Sequence, residues 1–96
     1  MIAKFAKLSG RVQGVGFRLS TMFAAKRFKV SGMVRNTTDG KVEIFAQGEP
    51  DRVEKLMDWA RHGPPWAKVR SFEIRDEEPR PEIRNFKIQY FYGRAS

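Results

Sequence analysis

The feature that most constrains the fold of this chain is a glycine-rich stretch at residues 10–18, which reads Gly-Arg-Val-Gln-Gly-Val-Gly-Phe-Arg. Its three glycines allow the backbone to bend through positive φ angles and to approach a ligand closely. Successive N–H groups in such a bend, followed by the N-terminus of a helix, form a site for anions. Arg18 ends the stretch with a planar side chain that can hold two phosphate oxygens. The stretch therefore predicts an oxyanion cradle, with an ordinary strand-to-helix turn as the alternative.

Hydrophobic periodicity predicts an alternation of strands and helices along the chain. The expected elements, in the order strand, helix, strand, strand, helix, strand, strand, cover residues 2–9, 17–28, 30–36, 41–48, 50–62, 67–74 and 85–92. The Asp39-Gly40 pair predicts the turn of a hairpin between the third and fourth elements. Asn36 then ends a strand directly before this turn, and the strand at residues 41–48 alternates as a half-buried strand does. A polar loop is expected at residues 76–81.

This order of elements predicts an α+β fold. The expected architecture is a ferredoxin-like sandwich, with two helices packed on one face of a mainly antiparallel β-sheet, that is, β-α-β-β-α-β with an additional strand. At 96 residues, the chain has the size of one domain, and we expect a single domain over residues 1–96. Lys4 lies on the same predicted strand face as Ala6 and Leu8, which could face the core. A lysine on that face is acceptable only at an edge of the sheet.

The chain carries 19 lysine and arginine residues against 11 aspartate and glutamate residues, a formal net charge of +8. Such a surface attracts nucleic acid, acidic membranes or small phosphorylated metabolites. There is no cysteine, so disulfides, zinc-thiolate sites and thiol nucleophiles are excluded. No apolar run approaches the roughly 18 residues that span a bilayer, and the N-terminal residues lack an apolar signal core. We therefore expect a cytoplasmic protein with no membrane partner.

Few residues are candidates for acid–base or metal chemistry. His62, the one histidine, falls at the end of a predicted helix, where it stabilises the helix dipole. The sequence has no His-x-x-x-His or Asp-x-Asp pattern, so no metal site is expected. Catalysis would rest on positioning, with a phosphoryl group held by backbone N–H groups and Arg18. Asn36 is the candidate for orienting a water molecule, since an amide both donates and accepts hydrogen bonds. The alternative for Asn36 is a turn-forming role.

Two segments carry a resemblance to the acylphosphatase family. The first is the glycine-rich stretch at residues 10–18, and the second reads Gly-Met-Val-Arg-Asn-Thr-Thr-Asp-Gly-Lys-Val-Glu at residues 32–43. The similarity extends over roughly residues 4 to 90 and closes with the pattern Phe86-x-Ile88-x-Tyr90. Two long motifs in this order are specific to the family.

The resemblance implies an enzyme that hydrolyses the carboxyl-phosphate bond of small acyl phosphates to a carboxylate and inorganic phosphate. It implies no metal ion and no organic cofactor, and we expect a monomer. By family analogy, Arg18 and Asn36 are catalytic: Arg18 binds the phosphate and Asn36 holds the attacking water. The implied substrate-binding residues are Gln13, Gly14, Val15, Gly16, Phe17 and Arg18. Thr37 is expected to support the orientation of Asn36.

The chain departs from the family pattern at two places. Leu19 stands where an aromatic residue often follows the arginine, which alters the acyl side of the pocket. Residues 91–96 extend past the usual terminal tyrosine.

Two alternative functions stay open at this point. A basic ferredoxin-like RNA-binding module fits the charge and the fold, but the chain has no RNP1-like segment, so nucleic acid is not the expected partner. An acylphosphatase-like domain that serves carbamoyl phosphate within a larger hydrogenase-maturation protein would require this chain to be a fragment.

Overall fold

The computed structural model describes residues 1–93, so the end of the extension at residues 91–96 lies outside the described part. The elements are β1 (Ile2–Arg11), α1 (Phe17–Phe28), β2 (Ser31–Thr37), β3 (Val42–Gly48), α2 (Pro50–His62), β4 (Lys68–Glu77) and β5 (Phe86–Gly93). The predicted order of strands and helices is confirmed, and both helices have the predicted bounds.

Two strands are longer than the sequence pattern indicates. β1 continues past residue 9 to Arg11, and β4 continues past residue 74 to Glu77, so β4 takes up the start of the predicted polar loop. The added residues pair across these two strands. Arg11 of β1 lies opposite Lys68 of β4, and Glu77 of β4 lies opposite Ala3 of β1. Pairing along a neighbouring strand therefore overrides the polar local sequence.

The strands form one sheet in the order β4-β1-β3-β2-β5. β2 and β5 are parallel and the other neighbours are antiparallel, which confirms the prediction of a mainly antiparallel sheet. α1 contacts β2 and β5, α2 contacts β1, β3 and β4, and the helices contact each other. The helices thus form a second layer over the sheet. Within residues 1–93, neither helix is long and apolar enough to span a bilayer.

The core lies between the helices and the sheet. Every second side chain of a strand points to the same face, and the fully buried Ala6 and Leu8 of β1 stand opposite Ile44 and Val42 of β3. The helices contribute Phe17, Thr21, Ala24, Ala25, Val53, Leu56, Met57 and Ala60 to the buried set. Burial of each large apolar side chain contributes about 1.5–3 kcal/mol, which makes this layer the main source of stability.

Lys4 shares its strand face with Ala6 and Leu8, but the edge position that would have explained a lysine on this face is not found. β1 lies between β4 and β3. Lys4 Nζ instead lies 2.7 Å from Oδ1 of Asp76, the residue opposite it on β4. A lysine can cover the border of a core with its methylene groups while its charged end reaches a partner in water.

The sheet face away from the helices is also covered, although the pattern of β3 predicts a half-buried strand. Glu43, Phe45 and Gln47 are at most 4% exposed. Arg35 Nη2 lies 2.6 Å from Glu43 Oε1, and the Arg80 guanidinium lies 4.6 Å from the centre of the Phe45 ring. The prediction was wrong because long charged side chains exclude water from a strand face that has an amphipathic sequence.

Gln47 joins the segment after β4 to the middle of the sheet. Its Nε2 donates to the carbonyl oxygens of Arg80 at 2.8 Å and Ile83 at 2.9 Å, and its Oε1 accepts from the Arg80 N–H at 2.7 Å. The side chain therefore satisfies three backbone groups of one loop from a position that is 1% exposed.

We expect Gln47→Ala to lower the free energy of unfolding by about 2–4 kcal/mol, because it removes three hydrogen bonds and leaves a buried space. Urea denaturation measures the change. Gln89→Ala is the matched control, a glutamine on the edge strand β5 that is only half-buried, and it should cost less than about 1 kcal/mol. Equal stability of the two variants would show that Gln47 does not hold the segment after β4.

Candidate active site

The loop between β1 and α1 bends through left-handed backbone conformations. Gly14 and Gly16 have φ angles of 75° and 74°, a region that costs other residues about 1–2 kcal/mol. Nothing lies within 4 Å of the place where a Cβ atom would stand on either residue. These glycines are therefore required by the backbone angle and not by a lack of space.

The N-terminus of α1 has N–H groups without partners in the helix. Gly16 is the N-cap residue, so no side chain caps the helix, and the first turn contains no acidic residue. The N–H group of Ser20 donates to the Gly16 carbonyl at 3.0 Å. The N–H groups of Phe17 and Arg18 precede this bond and point out of the helix end, where the dipole is positive.

A cavity of about 260 Å³ opens beside this end of the helix. Its lining residues come from the β1–α1 loop, from α1, from β2 and from β5: Val12, Gly14, Gly16, Phe17, Arg18, Leu19, Asn36, Ile88 and Tyr90. The cavity thus brings Arg18 and Asn36, the two residues predicted to be catalytic, into one site. Besides Arg18, three more of the predicted substrate-binding residues line the same cavity: Gly14, Gly16 and Phe17.

Arg18 lies in the first turn of α1, beside the free N–H groups. Its guanidinium carbon lies 5.8 Å from the centre of the Tyr90 ring on β5. Among the described residues, no carboxylate lies within ion-pair distance of this guanidinium. Its donors therefore remain available for an anionic ligand.

Asn36 lies near the end of β2, opposite Val42 of β3. The residue is 3% exposed, and its Oδ1 atom has no hydrogen-bond partner within residues 1–93. An unpaired polar atom at this depth costs about 1–3 kcal/mol. Such an atom in a native fold calls for an explanation, and a ligand or a bound water is the usual one.

Gln13 fastens the glycine loop to the β2–β3 hairpin. Its Nε2 atom donates to the carbonyl oxygens of Thr37 and Lys41, each at 2.9 Å. These two residues flank the turn directly after Asn36. The side-chain amide donor of Gln13 is thus committed to the hairpin, so what this residue can offer a ligand is its backbone N–H. Val15, also in the predicted binding set, packs against the core and not into the cavity.

Thr37 stabilises the turn that follows Asn36. Its hydroxyl donates to Asp39 Oδ1 and accepts from the Lys41 N–H at 3.1 Å. The hydrogen bond from Thr37 and the charge of Lys41 hold the pKa of Asp39 below its ordinary value. None of these bonds reaches Asn36 Oδ1, so the support that Thr37 gives to Asn36 acts through the backbone.

Phe17 anchors the start of α1 in the core. It is 2% exposed, and its ring meets Trp59 of α2 edge-on, with 5.8 Å between the ring centres. Ile88 and Tyr90 also line the cavity, although the sequence placed them only on a strand and in the pattern that closes the family resemblance. Their alternation with neighbouring residues indicated one shared strand face, but nothing local indicated that β5 pairs parallel to β2.

No group of three or more His, Asp or Glu side chains in the described part of the chain is arranged to hold a metal ion.

The glycine loop, the N-terminus of α1, Arg18 and the buried Asn36 thus meet at one cavity of a small α+β protein. The family model for acylphosphatase matches residues 4–88, and the chain belongs to the acylphosphatase family. An acylphosphatase of Thermococcus kodakarensis is 48% identical over 82 residues, which are 85% of this chain and 89% of that protein. The crystal structure of an acylphosphatase from Bacillus subtilis has a TM-score of 0.88 and 32% identity, covering 94% of this chain and all of the other.

These similarities confirm the predicted family, the ferredoxin-like α+β fold and the assignment to an enzyme family. A similar fold also occurs inside a larger protein. Full-length HypF, solved in a phosphate- and nucleotide-bound form, matches 92% of this chain with 27% identity and a TM-score of 0.84, but the match covers only 12% of HypF.

The bridge made by Gln13 predicts a pH-dependent defect in an isosteric variant. Gln13→Glu keeps the shape but places a carboxylate against two carbonyl oxygens, so we expect a loss of about 2 kcal/mol in the free energy of unfolding at neutral pH. These surroundings raise the pKa of the new carboxyl group in the folded state, because only the protonated acid can donate. The loss is therefore full above that raised pKa and shrinks as the pH falls toward the ordinary pKa of glutamate.

Urea denaturation at several pH values tests this expectation. Gln13→Ala serves as the control, since it removes the donor without adding a charge, and its loss of stability should not change over the same pH range. A loss in Gln13→Glu that is likewise independent of pH would contradict the assigned hydrogen bonds.

Proposed function

We propose that this chain hydrolyses the carboxyl-phosphate bond of small acyl phosphates, releasing a carboxylate and inorganic phosphate. The observation that carries the proposal is the buried, unpaired Oδ1 of Asn36 in the same cavity as the Arg18 guanidinium and the free helix terminus. One end of this cavity suits a phosphoryl group, and the unpaired amide oxygen suits a water molecule beside it.

The phosphoryl group is held by backbone donors and one side chain. The backbone N–H groups of Gln13, Gly14, Val15, Gly16 and Phe17 surround its oxygens, and Arg18 adds two charged donors. These groups are preorganised by the left-handed glycines and by the buried anchor at Phe17. They stabilise the negative charge that is spread over the phosphoryl oxygens in the transition state.

Asn36 orients the nucleophile. Its Oδ1 accepts a hydrogen bond from a water molecule, which turns the water lone pair toward phosphorus. The water oxygen forms a bond to phosphorus while the bond from phosphorus to the acyl oxygen breaks and its electron pair leaves with the carboxylate. The proton released by the water passes to the phosphate product or to solvent. A carboxylate leaves without being protonated, so the reaction requires no general acid.

The same geometry supports a compact catalytic unit. All proposed site residues lie between residues 13 and 36 of one chain. We propose residues 1–96 as a single acylphosphatase domain that works as a monomer. The Thermococcus relative, which bears the name acylphosphatase, matches over 89% of its own length, and this supports an acyl phosphate as the substrate.

The RNA-binding alternative finds little support in the structure. Bases bind to such modules by stacking on exposed aromatic side chains. Phe45 on β3 is 4% exposed under Arg80, and Phe5, the residue opposite it on β1, has the Arg75 guanidinium 4.3 Å from its ring centre. The rings of Phe5 and Phe45 on the open face are therefore already covered by this chain's own arginines, whereas Tyr90, at 74% exposure, is not covered.

Phosphate release from acetyl phosphate and from a phosphate monoester, both with EDTA present, tests the proposal. We expect turnover of acetyl phosphate and almost none of the monoester, because an alkoxide is a poor leaving group without a general acid. Inorganic phosphate should inhibit competitively, since it fits the same cradle. Monoester hydrolysis as fast as that of acetyl phosphate would overturn the mechanism.

Two variants of Arg18 test its role in the same assay. Arg18→Ala should lower kcat/KM by at least about 10²-fold, and Arg18→Lys should recover little, because an ammonium group cannot reproduce the planar two-donor contact. Near-normal kcat/KM in Arg18→Ala would remove this residue from the site.

Asn36→Ala separates water placement from phosphate binding. We expect kcat to fall by about 10²-fold or more while KM and inhibition by phosphate stay nearly constant, because the water contact matters chiefly in the transition state. The variant should lose no more than about 1 kcal/mol of stability, since the removed oxygen is unpaired. Asn85→Ala, which changes an exposed asparagine, is the control. A stable Asn36→Ala protein with wild-type kcat would show that Asn36 is only a turn residue.

A further inference from the structure

A second cavity, of about 440 Å³, opens at the end of the sheet away from Asn36. It is here named the distal cavity, and it lies where α1 and β3 end and where β2, α2 and β5 begin. Ser31 lines it, and Asn36 stands five residues further along β2, a separation of about 17 Å at the usual rise of a strand. The distal cavity is therefore separate from the cavity that holds Arg18 and Asn36.

Four cationic side chains and a single carboxylate line the distal cavity. The cations are Lys26, Lys29, Arg52 and Arg84, and the carboxylate is Glu49. All five residues are exposed, and within residues 1–93 none of the four cations lies within ion-pair distance of a carboxylate. Cations that are gathered without partners repel one another, and an anion between them would remove this repulsion.

The helix dipoles do not explain the whole cluster. Lys26, in the last turn of α1, stabilises the negative end of that helix. Arg52, in contrast, lies in the first turn of α2, where the dipole is positive and a cation is disfavoured. Asp51, whose charge suits this end of α2, does not line the cavity. The disfavoured cation is thus the one that lines the distal cavity.

Lys29 occupies a backbone position that favours glycine. It is the C-cap of α1, with φ 59° and ψ 50°, and within residues 1–93 it is the only residue other than glycine with a positive φ angle. Glycine is the usual residue at such a position because it has no Cβ atom. Backbone strain of this kind is concentrated at ligand sites. A lysine in this place indicates that its side chain, which lines the distal cavity, has a use that glycine cannot serve.

The distribution of the cations favours a ligand with several negative charges. Lys26 and Lys29 lie at the end of α1, Arg52 lies at the start of α2, and Arg84 lies in the segment before β5. A chain of linked phosphate groups can contact cations from these three places at once. Phosphate oxygens are also the acceptors for which arginine and lysine form their strongest hydrogen bonds.

The distal cavity offers no platform for a nucleobase. Phe86 is the only aromatic residue in its lining within residues 1–93, and it is 5% exposed. A base binds by stacking on an exposed ring, which is missing here. We propose that the distal cavity binds an oligophosphate, either free or as the triphosphate of a nucleotide, through its phosphate groups alone.

An NMR titration of the ¹⁵N-labelled chain tests the proposal, because the two cavities have separate amide signals. Ser31, Gly48 and Arg52 report on the distal cavity, and Gly14 and Gly16 report on the glycine loop. The titration uses about 0.15 M salt, which screens long-range attraction of anions. Tripolyphosphate should shift the distal signals with a Kd at least about tenfold lower than that of inorganic phosphate. ATP without divalent ions should give a Kd within about threefold of that of tripolyphosphate.

Two double variants of equal charge locate the binding. Lys26→Gln combined with Arg52→Gln removes two cations of the distal cavity and should raise its Kd for tripolyphosphate by about tenfold or more. Arg27→Gln combined with Lys55→Gln is the matched control, because both residues are exposed on the same two helices but do not line the cavity. The control should raise the Kd by no more than about twofold, since it changes only screened, long-range attraction.

Lys29→Gly separates binding from folding. The variant removes a cation of the distal cavity and places the favoured residue at the C-cap of α1. We expect its urea midpoint to stay unchanged or to rise, while the Kd for tripolyphosphate rises by about threefold or more. Wild-type affinity in Lys29→Gly would show that this lysine has no part in the site and would overturn the inference drawn from its backbone.

Several results would overturn the proposed site. They are shifts confined to Gly14 and Gly16, equal affinity for tripolyphosphate and inorganic phosphate, and an equal loss of affinity in the two double variants. ATP binding more than about tenfold tighter than tripolyphosphate would overturn recognition through phosphates alone. None of these measurements depends on hydrolysis. A chain that binds tripolyphosphate at the distal signals but releases no phosphate from acetyl phosphate would support the distal site and overturn the proposed function.

Discussion

The burial of β3 on both faces is the constraint on which the rest of the fold depends. On the helix side it carries Val42 and Ile44, and on the other side Glu43 and Gln47, all at most 2% exposed. A strand in this position must have every polar group satisfied, because an unpaired buried group is costly. Glu43 therefore bonds to Arg35, and Gln47 bonds to the loop after β4. β3 and its neighbours β1 and β2 thus form a platform that is packed against the helices on one side and covered by polar side chains on the other.

The proposed site lies where this platform meets the glycine loop. Val34 is fully buried under the helices, and Asn36, two residues further along the same strand face, is the next to point that way. One feature here reduces stability, the unpaired oxygen of Asn36, whereas the left-handed conformation of Gly16 is not strained because glycine has no Cβ. The surrounding structure holds Asn36 in place, and Gln13 supplies one tie between the loop and the hairpin.

Local sequence signals predicted the parts of the fold that depend on neighbours in the chain. Both helices begin and end as expected because their signals, such as Pro50 and the glycine after His62, act within a few residues. The family motifs likewise indicated Arg18 and Asn36, which the cavity brings together.

Contacts between distant residues were not predictable in this way. The Gln13 bridge joins residues 24 apart, the Gln47 bond to Arg80 joins residues 33 apart, and the parallel pairing of β5 with β2 closes a still longer loop. The alternation of apolar and polar side chains along a strand does not indicate which distant residues will pair. For that reason the double burial of β3 and the place of Tyr90 at the cavity emerged only from the structure.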